Sequence, residues 1–525
     1  RGAFVFPPSV NRQVTKKMVY FAKDHSRAFR ELICMKYLKA LLTLLLCSAL
    51  LCACAPTLAE GSERYKAVTA RFNGQLEKGA VVNVLENNTA IELSYVQQLI
   101  DAFNEAYRDQ GVSAQIMDID QYSDLATDGP YGYGPDVWYQ ANDILMKYAT
   151  KKHLLPLPVY SLESRDLIPQ NAWDAYRMQM YGEDFYCGVP INVQSGMLFY
   201  IESMLPDNWQ AKWDLNQNGT PDFFETFTAL YALSQDIQQN GGKTEYGYLD
   251  DLVDVYFSVG YALTYGAYVF GDGNTNPDDI GLAKGDAAKG LYMLRQWAAL
   301  MNNTEVLDKT FAAAAYAYLA QGKMLCTITT PDVKQMFIRA MVNTGSWTQE
   351  EAEADLKMIN VPRLPASADL TSDAWQDTIL DMEGKTVRTK MMGGINGYGI
   401  SAYTECPNAS LAFVEFATSY EQVMLRNQVL GITPARSDAA AAIGQTDATV
   451  QMIFDNLNEG YIDVMPAINE TAQIWTPGES FLIDLCTDAF RLSRGEAELY
   501  ETIEKIQQGL ERMVQQIFDA IHTLA

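Results

Sequence analysis

"VVNVLENNTAIELSYVQQLIDAFNEAYRDQGVSAQIMDID", residues 81–120, changes its hydrophobic period twice, and those changes decide the fold. Residues 81–87, "VVNVLEN", read as a buried strand. "IELSYVQQLIDAFNEAYRDQ" then places apolar residues at helical spacing and stops before Gly111. "VSAQIMDID" is a second strand, so the stretch predicts a βαβ unit. The alternation continues through "PDVWYQ", "DILMKYATKKHLLPL" and "GVPINVQSGMLFYI". An α/β fold with parallel sheets is expected, with its ligands beyond the carboxyl ends of the strands. That points to Glu86, Asn87 and Asn88 after the first strand and to Asn142 and Asp143 after "DVWYQA". The strand pattern turns Trp138 inward, into the core.

Upstream of this unit, Met35 begins "MKYLKALLTLLLCSALLCAC". Two lysines precede an apolar run too short for a bilayer-spanning helix, which needs about 20 residues, and the arrangement is that of a secretory signal. Its end, Leu51-Cys52-Ala53-Cys54, resembles a bacterial lipobox and makes Cys54 the expected lipidated residue, with residues 35–53 as the signal peptide. Residues 1–34 are basic and patternless and read as an upstream or non-native extension. Residues 1–53 carry nine Lys/Arg and two Asp/Glu, so without them the net charge moves from −26 to −33. Such a surface repels nucleic acid and anionic lipid headgroups; neutral ligands match it better.

A second feature is "WDLNQNGTPDFFETF", from Trp213 to Phe227. Asp214, Asn216, Asn218, Thr220, Asp222 and Glu225 stand at positions 1, 3, 5, 7, 9 and 12 of a calcium loop, with Gly219 at the turning position 6. Alternate residues of a tightly turned loop can all face one cation, and Glu225 occupies the bidentate position. Pro221 and the lack of a preceding helix argue for a lone structural Ca2+ loop rather than half of a sensor pair. A solvated turn is the plainer reading.

Few features suggest catalysis. Cys187, Cys326, Cys406 and Cys486 are widely spaced without a C-x-x-C pair, which leaves one or two disulfides or single buried thiols open. Beyond residue 53 the only histidines are His153 and His522, neither in a hydrolase or zinc motif.

In order, "GPDVWYQANDILMKYATKKHLLPL", "YCGVPINVQSGMLFYI", "YAYLAQGKMLCTITTPD", "INVPRLP", "MMGGINGYGISA", "CPNASLAFVEFATSYEQVMLRNQ", "LGITPARSDA" and "MPAINETAQIW" resemble the family 1 extracellular solute-binding proteins of ABC importers, the group that includes maltose- and maltodextrin-binding proteins. The resemblance runs from about residue 81 to the C-terminus. It implies a periplasmic-binding-protein-like fold of type II: two α/β lobes joined by two or three crossing segments, with a central ligand cleft. It also implies capture and delivery of a solute without catalysis. Carried over by position, Asn142 and Asp143 contact a sugar hydroxyl, Asn192 and Gln194 lie at the first crossover, and Gly393, Gly394, Asn396 and Tyr398 at the second. Trp475 falls where the family often supplies an aromatic platform, and Thr330-Pro331 replaces the usual Gly-Pro-Trp. Tyr398 and Trp475 are equally readable as core. The calcium loop occupies the lead into a second-lobe helix, where Ca2+ would act as a stabilising staple away from the cleft.

The expected organisation is residues 54–77 as a linker, 78–193 and 393–450 as the first lobe, and 194–392 and 451–525 as the second, with the loop at 214–225. The expected function is a lipid-anchored, extracytoplasmic, monomeric component of an ABC importer that delivers a sugar or oligosaccharide to its permease. The alternatives are the same fold binding a peptide or polyamine, or a surface polysaccharide-degrading enzyme.

Overall fold

The computed structural model describes residues 62–524. Residues from 65 onward form one compact unit, and the architecture below is that unit's. The extension, the signal peptide and Cys54 lie outside the described residues.

The opening unit folds as strand β1 (Val81–Leu85), helix α1 (Tyr95–Ala106) and strand β2 (Ser113–Ile116), with β1 and β2 parallel. The helix starts later than its periodicity suggests because Ser94 adopts a left-handed φ of 63° and separates it from the short turn Asn88–Glu92. Tyr95, Leu99 and Phe103 bury one face of α1. Strand β3 (Val137–Ala141), helix α2 (Asn142–Thr150) and strand β4 (Val189–Ser195) follow. Strand β5 (Met197–Ile201), helix α3 (Phe227–Asn240), strands β6 (Tyr246–Tyr248) and β7 (Met324–Thr329), helix α4 (Lys334–Asn343) and strand β8 (Leu356–Ile359) build a second lobe. The chain returns through β9 (Met391–Ile400), helix α5 (Tyr420–Leu430), β10 (Thr433–Pro434), helix α6 (Ala448–Asn458) and β11 (Ile462–Val464). It ends in α7 (Trp475–Asp488) and α8 (Ile503–Leu524).

The first sheet has the order β10-β4-β9-β3-β1-β2, with β11 beside β9. The second has the order β8-β5-β7-β6. The expectation of parallel sheets is corrected here. β9 runs antiparallel to both β3 and β4, because the chain comes back from the second lobe and enters the sheet at its cleft end. β5 is likewise antiparallel to β7 and β8.

Three segments cross between the sheets. Gly196 alone separates β4 from β5, and a Cβ there would sit 2.6 Å from Met391 Cε. Residues 360–390 connect β8 to β9, and residues 465–474 connect β11 to α7. The expected return to the second lobe at residue 451 is too early. Helix α6 packs on β4 and β10 of the first sheet, and β11 pairs with β9, so the chain leaves the first lobe only after Val464. Helices α7 and α8 then pack on helix Ala287–Met301.

Cys187, Cys326, Cys406 and Cys486 are free and buried. No helix among the described residues is long and apolar enough to cross a membrane.

Candidate functional site

The cleft ends of β3, β4 and β9 lie in register, with Asn396 opposite both Asn192 and Ala141 and Gly394 opposite Gln194. The Tyr139 hydroxyl joins two of these strands: it donates to Asn192 Oδ1 at 2.8 Å and accepts from Asn396 Nδ2 at 3.0 Å. Asn192 Nδ2 and Asn396 Oδ1 are left buried without a partner. From the second lobe, Asp332 meets this floor. The Thr330 and Gln194 side chains lie beside its carboxylate, and its Oδ1 remains unpartnered. Burial, first of all, pushes the Asp332 carboxyl up, and the same cause raises Asp143 at the start of α2.

Two tyrosines stand near the Asp332 carboxylate. The Tyr256 hydroxyl is 3.5 Å from the Gln194 carbonyl, and burial and then the Asp332 carboxylate raise it. Tyr316 is held up by burial and then by Asp332. Trp475, the first residue of α7, is half-buried. Gly394 leaves room beside these groups, since a Cβ there would lie 3.1 Å from Met465 Cε.

Several residues expected at the site serve the scaffold instead. Glu86 is fully buried, accepts from Arg426 Nη1 at 2.7 Å and is bonded by the Tyr398 hydroxyl. Both Glu86 and Tyr398 are therefore core, beneath the floor. The pair persists because a buried carboxylate needs a charge partner. Arg426 lies 4.3 Å from the Tyr139 ring and 4.9 Å from that of Tyr95. Asn87 caps the turn Asn88–Glu92 by accepting from the Ala90 N–H at 2.8 Å. Asn142 is fully buried; it donates to the Met465 carbonyl at 2.8 Å and accepts from the Ile395 N–H at 3.2 Å. It thereby fastens the crossings rather than facing a solute. Asn88 stays exposed at the rim, its N–H on Gln121 Oε1 at 2.8 Å. Asp143, Asn192, Gln194, Gly394 and Asn396 are the expected residues found where the lobes meet, and Trp475 begins α7 after the third crossing. The reading of the residues missed Tyr139, Tyr256, Tyr316 and Asp332. Only Asp332 carried a signal, as the residue following the altered Thr330-Pro331.

The Asp214–Glu225 loop lies on the second lobe, between β5 and α3. Asn216 Nδ2 and Asn218 Nδ2 donate to the two Glu225 oxygens at 2.9 and 2.8 Å. The Gly219 N–H approaches Asp214 at 3.3 Å, with Gly219 at φ 81°. Thr220 donates its N–H to Asn218 Oδ1 at 2.8 Å. Asp222 is fully buried; Oδ2 accepts from the Leu215 N–H at 2.9 Å and Oδ1 has no partner. Among the described residues no group of three or more His, Cys, Asp or Glu is gathered closely enough to hold a metal. In this loop the two amide nitrogens, not a third carboxylate, stand against Glu225.

The family model described as bacterial extracellular solute-binding protein matches residues 98–452. The maltodextrin-binding protein MdxE of Bacillus subtilis is 23% identical over 418 residues, 75% of this chain and 84% of its own length. A galactooligosaccharide-binding protein of the same organism is 22% identical over 373 residues, 70% of this chain and 76% of its own. Among solved structures, MalX of Streptococcus pneumoniae in complex with maltopentaose superposes with a TM-score of 0.62 at 18% identity, over 85% of this chain and 100% of that one. MalE of Listeria monocytogenes in complex with maltose gives 0.60 at 19%, over 85% and 98%. The two-lobed architecture, the three crossings and the family match over more than half of the chain agree: this chain belongs to the bacterial extracellular solute-binding proteins and has their type II two-lobed fold.

Proposed function

We propose that this chain captures a neutral sugar or oligosaccharide of the maltodextrin class by lobe closure and delivers it to the permease of an ABC importer, without catalysing a reaction. One observation carries the reading: Asn192 Nδ2, Asn396 Oδ1 and Asp332 Oδ1 are buried at the meeting of the lobes with no protein partner. Leaving such atoms unpaired costs roughly 1–3 kcal/mol each. A hydroxyl, which donates and accepts at once, satisfies both kinds of orphan. The rings of Tyr256, Tyr316 and Trp475 suit the apolar faces of pyranoses. The relatives known as maltodextrin- and galactooligosaccharide-binding proteins point to the same solute class. A polyamine fits less well, because burial favours the neutral form of both Asp143 and Asp332.

Anchoring through a lipidated Cys54 on the outer face of the cell membrane completes the proposal. The binding test is calorimetric titration with maltotriose and maltopentaose, with spermidine and a tripeptide as controls, followed by small-angle scattering. The sugars should bind and reduce the radius of gyration; Asp332→Asn should weaken them about tenfold while the melting temperature holds. Binding of the tripeptide or spermidine with no response to either sugar refutes the sugar reading.

A further inference from the structure

The Asp214–Glu225 loop does not stand apart from the moving parts of the molecule. Its last residue is joined to the second crossing segment: the Arg363 N–H donates to the Glu225 carbonyl at 2.9 Å, and the Phe227 N–H donates to the Arg363 carbonyl at 2.9 Å. Trp213, just before the loop, stacks on Trp375 of the same segment with ring centroids 4.8 Å apart. The segment is tied in turn to the first lobe. Asn360 Oδ1 accepts from Asn456 Nδ2 at 2.7 Å, Arg388 donates to Asn456 Oδ1 at 2.8 Å, and the Arg388 guanidinium lies 3.6 Å from the Tyr461 ring centroid. A cavity of about 330 Å3 lies among these groups, behind the hinge. Phe224 and Glu225 wall it from the second lobe, Ser195, Asn456 and Tyr461 from the first, and Gly196 and Arg363 from the crossings. Any rotation of one lobe on the other changes its shape.

Two independent features ask for a cation in the loop. The sequence places oxygen-bearing residues at the six ligand positions around Gly219, which holds the left-handed turn. The structure adds a fully buried carboxylate oxygen, Asp222 Oδ1, that no protein group satisfies. The Asn216 and Asn218 amides present nitrogen to Glu225, which hydrogen-bonds its charge without offsetting it. Rotating each amide by half a turn presents Oδ1 instead, and oxygen is what a hard cation needs. Asp214, Asp222 and Glu225 repel one another, so a positive charge between them is what would draw them into one shell.

We propose that residues Asp214, Asn216, Asn218, Asp222 and Glu225, with the Thr220 carbonyl, bind a hard divalent cation of the Ca2+ class, and that this ion acts on the hinge through the Glu225–Arg363 backbone pair. The ion stands on the back of the hinge, away from the cleft floor. It stiffens the crossing on which closure turns, and so links cation binding to the lobe equilibrium.

The test uses the full chain stripped with EGTA and titrated with CaCl2 by calorimetry, with melting temperature and amide hydrogen exchange followed in parallel. Expected are one binding event, a rise in melting temperature, and slower exchange at the Arg363 and Phe227 amides. Glu225→Gln should weaken Ca2+ at least about tenfold and abolish the exchange effect. Asn218→Ala, at an exposed position, should weaken it less in a chain that stays folded, and it serves as the second variant. No heat of binding and no thermal shift overturns the cation site. Ca2+ binding with unchanged exchange at Arg363 and Phe227 overturns the hinge link. None of these readouts needs a solute, so they are independent of the sugar reading.

Discussion

Asp250, in the loop after β6, shows how one buried carboxyl shapes the response of the fold to pH. The Tyr248 hydroxyl donates to its Oδ2 at 2.6 Å and the Asp251 N–H to its Oδ1 at 2.9 Å. No cationic side chain among the described residues pairs with it, and burial pushes the carboxyl up to about 8 and likewise carries Asp251 to about 7. The ordinary value is 3.8, so between about pH 4 and 8 the folded chain keeps a proton that the unfolded chain has released. Stability therefore falls as pH rises through that window, by at most about 1.4 kcal/mol per pH unit for one such group. Asp250→Asn keeps an acceptor for Tyr248 and removes the titration. The expected result, read by thermal melting at pH 5 and pH 8, is a smaller loss of melting temperature at the higher pH than in the parent. An unchanged difference between the two pH values would mean that Asp250 is ionised in the fold.

At the scale of elements, β9 carries the design of the hinge. All ten of its residues are buried, and glycines recur along it because its neighbours approach too closely for side chains. A Cβ on Gly393 would lie 2.1 Å from Ile462 Cγ2 and 2.8 Å from the Gln194 carbonyl; one on Gly397 would lie 2.4 Å from the Val189 carbonyl. The same closeness lets β9 pair with β3, β4 and β11 while it brings Asn396 to Tyr139. Gly393→Ala must push β11 away or bend β9, and overpacking of this kind costs about 1–3 kcal/mol. A lower urea midpoint with an unchanged slope is expected. An unchanged midpoint would show that β9 and β11 are not packed as described.

At the scale of the molecule, the lobes are in contact. Asp332 of the second lobe meets Gln194 of the first, and Arg339 lies 3.5 Å from Glu92 at the rim. The rim pair is solvent-exposed and contributes little; the buried groups at the floor are what a bound solute would strengthen. A chain of net charge −26 is not drawn to anionic headgroups by its own surface, so the proposed lipid on Cys54 is what would retain it at a membrane. The expected outcome is a diacylglyceryl-modified N-terminal Cys54 in mass spectra of the membrane fraction, with Cys54→Ser releasing the protein to the medium. An unmodified chain beginning at Met35 or earlier would exclude this anchor.

Local periodicity by itself determined the βαβ opening, the order of strands and helices, the inward Trp138 and the oxygen-bearing spacing of the Asp214–Glu225 loop, because each depends on neighbours in the chain. Asn192, Gln194 and Asn396 entered the list of candidates by position, through the resemblance to the family, and not through periodicity. Only the tertiary structure decided what each polar side chain does. Glu86 follows a strand end as a ligand residue would, yet Arg426 lies 340 residues further along the chain and claims it for the core. Asn142 is taken by the Met465 carbonyl, 323 residues away. Asp332 reaches Gln194 only because the two lobes meet, Tyr139 reaches Asn192 and Asn396 only because β3, β4 and β9 share a sheet, and Glu225 touches the second crossing only because Arg363 folds back against it. Hydrogen-bond partners at such separations leave no periodic trace in the sequence, since they are set by how the sheets are joined and not by the segments that form them.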